Sequence, residues 1–446
     1  MAQTLYQQFA HQLDSLALRP EQQIVVALGG GADSQTVLHL TLEYLRQHPQ
    51  LRQPLAIHLD HHFHPDSSQW ANALQNAVKD LPLACHFESL AVPIAARQSK
   101  EAAGRERRYQ RLAELTESDA VILLGHHRND QIETFLLQAK RGSGPRGLAA
   151  MAAVSPFVEQ RLLVRPLLPV SKAEIIRYAQ QHQLFWIEDD TNYDTAMDRN
   201  FLRHDIVPLL EQRWPQFGQS IMRSAALCAE QDALAAELLT PYCQPLQSNG
   251  NGLAIAALQG HSAALQRAIL RHWLSGLASI MPSYQQLEQI RQQAISAQMD
   301  SQLTVSWAGQ AVRYYQQALF WTPELPDIAE LCQWRQSWLP QQSLRLPKPL
   351  GQLRPLTTLN ASVQVGFSHP KGKLYQAHRE GGKVLGDWLK QAKIAPWLRN
   401  RWPLLEWRDI WLVPGVGAFA KQPQNALAKQ WQEAAVQWQW SKDFAD

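Results

Sequence analysis

The sequence predicts an α/β fold in which a parallel sheet is covered by helices on both faces, followed by two smaller domains. Three observations carry that prediction. The apolar run of residues 24–28, IVVAL, breaks abruptly into Gly29-Gly30-Gly31-Ala32-Asp33-Ser34 and then into a helical pattern with Val37, Leu38, Leu40 and Leu42. Short apolar runs then alternate with helix-length stretches to about residue 140, the rhythm of βαβ units. Polar clusters recur where the apolar runs end, at Gly29 to Ser34, His58 to His64 and Gly125 to Glu133. Parallel sheets bind ligands at those ends.

The opening MAQTLYQQFAHQLDSL reads as an amphipathic helix with polar residues throughout, unlike a signal peptide. Residues 24–28 form the first buried strand. The glycines after it let the backbone approach a ligand, and the first N–H groups of the next helix attract an anion, so a phosphate or pyrophosphate suits the turn. Without a ligand the same residues would be an ordinary βα turn. Residues 54–59 are a second strand, ending in Asp60-His61-His62-Phe63-His64-Pro65, and Asp66, Ser67 or Ser68 caps a helix to about Val78. Residues 82–87 are a third strand, 100–115 a helix, and 120–124 a fourth, wholly apolar strand. Gly125-His126-His127-Arg128-Asn129-Asp130 then opens a helix through Lys140.

After the glycine-rich loop 142–147, Ser171 and Glu174 form a capping box. Residues 199–213 read as helical. From Pro215 the texture becomes rich in alanine and leucine, with helices over 217–239 and 263–277, while 301–321 alternates like short strands. The domains expected are 1–214, a mainly helical 215–325, a proline- and tryptophan-punctuated linker 326–356, and a small α+β domain 357–446.

Composition bounds the chemistry. The chain has 446 residues, 45% hydrophobic and 18% charged, with a net charge of +3, which permits a polyanionic partner without demanding one. There is no run of about eighteen apolar residues, the length a spanning helix needs. Cys85, Cys228, Cys243 and Cys332 are scattered, with no metal or disulfide spacing, so a cytoplasmic setting is the default.

Asp130 and Glu133 stand three apart at a helix start, on one face. Beside a triphosphate they could hold Mg²⁺, with Asp33 as a third carboxylate. Alternatively, the pair complements the helix dipole and Asp33 caps its own helix. His58, His61, His62, His64, His126 and His127 form an imidazole-rich rim suited to lining a nucleotide or donating to phosphate; no spacing fits a closed zinc site. Arg105, Arg108 and Tyr109 share a helical face, and guanidinium forks suit phosphate oxygens. Lys140, Arg141, Arg146, Arg199 and Arg203 suggest salt-dependent contacts to a phosphate backbone.

In this order the residues resemble the tRNA(Ile)-lysidine synthases of the N-type ATP pyrophosphatase (PP-loop) superfamily. The superfamily's S-G-G-x-D-S loop is matched by Gly29 to Ser34, and the family's H-x-D/N-H-G-L by His58 to Phe63. E-x-x-A-R-x-x-R-Y is matched by Glu101 to Tyr109, and H-H-x-D-D-Q-x-E-T by His126 to Thr134. Lys140 to Leu148, Trp186 to Asn192, Arg199 to Arg203 and Pro396 to Gly415 extend the match over nearly the whole chain.

The resemblance implies that ATP adenylates C2 of the wobble cytidine in an isoleucine tRNA with a CAU anticodon. Free L-lysine then displaces AMP. It implies a nucleotide site at Gly29, Gly30, Gly31, Ala32, Asp33, Ser34, His58 and His126. Mg²⁺ would lie on Asp33, Asp130 or Glu133; Arg105 would face the adenylate; and Asp130 would take a proton from the attacking amine, with Asp33 and Glu133 completing the catalytic set. The middle and C-terminal domains would grip the tRNA, and a homodimer is an expected assembly.

Four positions depart from the pattern: Gly29 for serine, Asn129 for aspartate, His62 for glycine and Gly104 for alanine. Residues 379–387 are also less basic than the family's run, which predicts fewer phosphate contacts there. Two other readings are a PP-loop tRNA thiolase, which would need the cysteine pair this chain lacks, and a tRNA- or nucleotide-binding homologue without full chemistry.

Overall fold

A computed structural model describes residues 4–93, 100–243, 252–296, 303–355, 361–376, 379, 381–437 and 440–441. The chain divides into two compact units, Met1–Ala235 and Ala236–Asp446.

The first unit carries the predicted parallel sheet. Its strands are β1 (Ile24–Ala27), β2 (Leu55–Asp60), β3 (Ala84–Ser89), β4 (Val121–Leu123), β5 (Val154–Pro156) and β6 (Leu162–Val164). Its helices are α1 (Leu5–Asp14), α2 (Ala32–Gln47), α3 (Ser67–Val78), α4 (Lys100–Leu115), α5 (Arg128–Lys140), α6 (Pro145–Leu148), α7 (Lys172–Gln181), α8 (Asp198–Phe201), α9 (Val207–Arg213) and α10 (Phe217–Leu239). The strand order is β3-β2-β1-β4-β6-β5, all parallel except β5.

Strand periodicity explains the two covered faces, because successive side chains point to opposite sides. Ile24, Val26, Ala56, Val121 and Leu123 face one way, against Phe9 and Leu13 of α1, Val37, Leu38 and Leu40 of α2, Leu74 of α3 and Ile175 of α7. Val25, Ile57, Leu59, Ile122 and Leu163 face the other, with Leu112 and Tyr109 of α4. β1 has β2 on one side and β4 on the other, so the chain reverses its direction of growth at β1. The glycine turn therefore lies at the topological switch point, where such sheets open a crevice.

The region between α8 and α9 is one turn of π-helix, Leu202–Ile206, within the stretch read as a continuous helix. The second unit corrects the expectation of a mainly helical middle domain. Gly252–Ala254, Ala318–Pro323, Gln310–Tyr315 and Thr304–Trp307 form an antiparallel sheet in that order. Leu253, Val305, Val312 and Leu319 of that sheet share a core with Ile269, Trp273, Leu287 and Ile290 of the helices Ala263–Ser275 and Tyr284–Ser296. This part is mixed α/β.

The described residues 326–355 of the stretch expected as a linker, 326–356, are structured as well. They hold a helix, Ile328–Gln333, and a strand, Arg335–Trp338, which pairs antiparallel with Val363–Gly366 at the edge of a six-stranded C-terminal sheet. Buried Trp338, Leu344, Leu346, Leu350 and Leu353 belong to that sheet's core, which is why the tryptophans and prolines there do not mark a free connector. No helix among the described residues is long and apolar enough to cross a membrane.

Candidate active site

The turn after β1 is held by its own residues. Leu28 N–H donates to Ile57 O at 2.8 Å, tying the strand end to β2. Gly30 takes φ +92°, a conformation that favours glycine, and its carbonyl accepts from Ile187 N–H at 3.0 Å. The Ser34 hydroxyl accepts from Gly30 N–H at 3.1 Å and donates to Gly31 O at 3.0 Å. It closes the turn from inside. Gly31 caps α2 without a side-chain bond, and an added Cβ at Gly29 or Gly31 would meet little or nothing, so the mouth of the loop is open. At the end of β4, a Cβ on Gly125 would come within 3.0 Å of Ser34 N and 3.1 Å of the Asp33 Cβ. Glycine there lets the first and fourth strand ends approach.

Three strand ends supply side chains. His127 N-caps α5, and its Nε2 lies 3.7 Å from Asp33 Oδ1 and 3.5 Å from Asp130 Oδ2. One buried imidazole thus stands against the loop acid and the helix acid together. Asp130 also accepts from His127 N–H at 3.0 Å. Burial works against its ionisation, but the His127 ring and backbone N–H, with His126 and Arg203, outweigh it and hold the carboxyl below its ordinary range.

Glu133 has a different fate. It is 1% exposed, and Arg203 grips both oxygens, Nε to Oε1 at 2.7 Å and Nη2 to Oε2 at 3.0 Å, with Arg199 Nε at 3.3 Å. Burial pushes its pKa up, Asp130 adds to the effect, and the two arginines oppose it. The two acids share a helical face, as expected, but Asp130, with Arg203 Nη2 at 3.5 Å from its Oδ1, is held far less closely than Glu133. Arg199 and Arg203, expected on a phosphate backbone, are engaged with Glu133, and Lys140 is paired with Asp198 at 2.7 Å.

The histidines divide likewise. His58 Nδ1 donates to Leu28 O at 2.8 Å, bracing the strand before the loop, and burial lowers its pKa. His126 is pushed down to about 4, by burial first and then by Arg165, Arg105 and Arg199 against Asp130. Its buried Nδ1, like that of His127, has no hydrogen-bond partner among the described residues. A neutral imidazole with an unsatisfied nitrogen beside the loop is a ready contact for a bound nucleotide. His61 also falls to about 4, by burial and then Arg108, whose Nη2 donates to its Nε2 at 2.9 Å. His62 is turned to Asp60 and Ser89, and His64 to Asp190.

Arg105 is exposed on α4, its guanidinium 5.6 Å from the Tyr109 ring centre, and pairs with no carboxylate among the described residues. It contributes to the lowered pKa values of His126 and Arg165, so its charge is felt at the fourth and sixth strand ends. Lys172 was not singled out in the sequence. Its Nζ donates to Asp33 Oδ1 at 2.7 Å. Asn129, where the resemblance has an acid, accepts the Lys172 N–H on Oδ1 at 3.0 Å, joining the starts of α5 and α7. The rule that ligands gather at strand ends would have found Lys172, had β6 been recognised.

Among the described residues no group of three or more His, Cys, Asp and Glu side chains is arranged to hold a metal. The four cysteines are free.

Comparison with known proteins gives the family. Residues 1–210 match the model of the PP-loop domain, 253–320 the TilS substrate binding domain, and 363–440 the TilS substrate C-terminal domain. The chain is 53% identical over 426 residues to the tRNA(Ile)-lysidine synthase of Idiomarina loihiensis, covering 95% of this chain and 94% of that protein. The chain belongs to the tRNA(Ile)-lysidine synthase family. The lysidine synthase of Vibrio cholerae is 36% identical over 411 residues, covering 90% and 92%, and that of Shigella flexneri 36% over 431 residues, covering 93% and 98%. The similarity runs through all three matched regions, so the two later domains are those of a lysidine synthase as much as the PP-loop domain is.

Proposed function

We propose that the chain, as a lysidine-forming ATP-dependent ligase, carries out both half-reactions at the carboxyl edge of its parallel sheet. The phosphates of ATP lie over Gly29 to Ser34 and the N-terminus of α2. The wobble C2 oxygen of an isoleucine tRNA attacks the α-phosphorus, and pyrophosphate leaves. The ε-amine of free lysine then attacks C2, and AMP leaves. Arg105, exposed and tied to no carboxylate among the described residues, faces the adenylate.

Asp130 receives the lysine ammonium. Its lowered pKa suits it to hold a cation, and a proton taken from the amine passes on to solvent rather than resting there. Only the neutral amine attacks. The observation that carries this reading is the single His127 nitrogen set against both Asp33 and Asp130, the phosphate-loop acid and the α5 acid.

Mg²⁺ prefers one or two carboxylates together with phosphate oxygens, and Asp33 and Asp130 fit that donor set. Bound there, it would neutralise charge on the departing pyrophosphate. Glu133 does not fit, because Arg203 and Arg199 occupy its oxygens; it positions the arginines beside Asp130. The matched substrate domains at 253–320 and 363–440 support contact of the second unit with the tRNA body.

Asp130→Asn tests the assignment. Lysine transfer to tRNA is expected to fall by at least ~10²-fold, with ATP-dependent pyrophosphate release slowed as well because the Mg²⁺ site loses one of its two carboxylates. Lysine transfer at the wild-type rate would remove Asp130 from the site.

A further inference from the structure

We propose that Lys172 is a phosphate-binding residue whose ammonium leaves Asp33 to take the β- and γ-phosphates of ATP and the departing pyrophosphate. This rests on the reading of the β1 turn as a pyrophosphate loop, and it assigns to that loop a ligand from outside it.

The loop is short of side-chain donors. Gly29 has no hydroxyl. Ser34 spends its hydroxyl on Gly31 O and at the same time occupies Gly30 N–H, so neither group is free for an anion. Lys172 reaches the same place from α7, which packs beside α2 on the same face of the sheet, with Nζ 2.7 Å from Asp33 Oδ1 in the first turn of α2.

Its backbone is fixed at the first position of α7. Ser171 caps that helix by accepting from Glu174 N–H at 3.2 Å, and Lys172 N–H is held by Asn129 at 3.0 Å. The stem is anchored and the ammonium is half-exposed at the mouth.

Of the other nearby cations, Arg203 and Arg199 are committed to Glu133 and Arg128 lies toward Glu174 at 3.7 Å, while Arg105 is assigned to the adenylate. Lys172 has Asp33 as its one ion-pair partner among the described residues, and Asn129 beside it brings no second negative charge. A half-exposed lysine–carboxylate pair is weakly held and exchanges readily for a more highly charged phosphate group. Until ATP binds, the pair holds both side chains in place.

The test is calorimetric titration of inorganic pyrophosphate, and separately of ATP, into the full-length chain with Mg²⁺ and without tRNA or lysine. Lys172→Ala is expected to weaken both ligands about tenfold, the scale of one charge-assisted hydrogen bond. Lys172→Arg, which keeps the charge, is expected to stay within about threefold of wild type. Wild-type affinity in Lys172→Ala would overturn the inference. So would an equal loss in Lys172→Ala and Lys172→Arg, which would mark a deformed site rather than a lost charge. Failure of the wild-type chain itself to bind ATP would instead overturn the reading of the loop.

Discussion

At the end of β2, three side chains trade size with one another. His62 takes φ +52°, the left-handed region that favours glycine, and is held there by its N–H to Asp60 Oδ1 at 2.9 Å and its ring to Asp60 Oδ2 at 3.1 Å. Phe63 stacks on His61 with ring centres 4.4 Å apart, and the missing Cβ of Gly104 makes room for both. A Cβ at Gly104 would lie 2.7 Å from Phe63 Cε2 and 3.0 Å from His61 Cδ2. Gly104, a departure from the family pattern, is thus the packing partner of Phe63 and His61. Gly104→Ala alone is expected to destabilise by about 1 kcal/mol, overpacking outweighing the gain in helix propensity. In a Phe63→Leu background it should stabilise by about 0.5–1 kcal/mol. Denaturant titration of the four proteins reads this change of sign; the same effect in both backgrounds would refute the partnership. The buried histidines make a second prediction. His61 and His126 resist protonation down to about pH 4, whereas an unfolded chain takes up those protons from about 6.5. Their contribution is therefore complete above pH 6.5 and lost as pH falls toward 4. Melting temperatures should drop through that window, and less steeply in His61→Gln and His126→Gln.

At the scale of elements, α5 shows what spacing can and cannot tell. Three residues apart at a helix start put Asp130 and Glu133 on one face, as read. Their separate fates depend on Arg199 and Arg203 arriving from α8 and the π-helical turn, some seventy residues away in sequence, which no local pattern announces. Arg203→Met is expected to cost about 3–5 kcal/mol, because it strips a buried carboxylate of its main partner. Unfolding without ATP or Mg²⁺ measures it, and an unchanged stability would return Glu133 to the pool of metal ligands. Elements bounded by strong signals were legible: α4 and α10 have the limits read from pattern, β1 and β4 lie within their apolar runs, and β2 runs one residue past its own, to Asp60. β5 and β6 are three residues each, broken by Pro156 and followed by Arg165-Pro166, too short to show a period. Missing them hid the strand end that leads to Lys172. In the middle domain the alanine- and leucine-rich helices dominate the composition and mask the short strands behind the alternation at 301–321.

For the whole molecule, the strand order β3-β2-β1-β4-β6-β5 turns a glycine motif into a site, because it sets the loop between the ends of β2 and β4. Alternation of strands and helices foretold the parallel sheet but not this order, which depends on long-range pairing. The three clusters named from the sequence do converge, through His58 on Leu28 and His127 on Asp33. The central claim is that this convergence joins lysine to tRNA at the expense of ATP. The most direct measurement incubates the full-length chain with unmodified isoleucine tRNA bearing a CAU anticodon, labelled lysine and Mg²⁺, with and without ATP. Label should enter the tRNA only when ATP is present, with pyrophosphate and AMP released in step. Binding of the tRNA with neither label nor pyrophosphate would contradict the account.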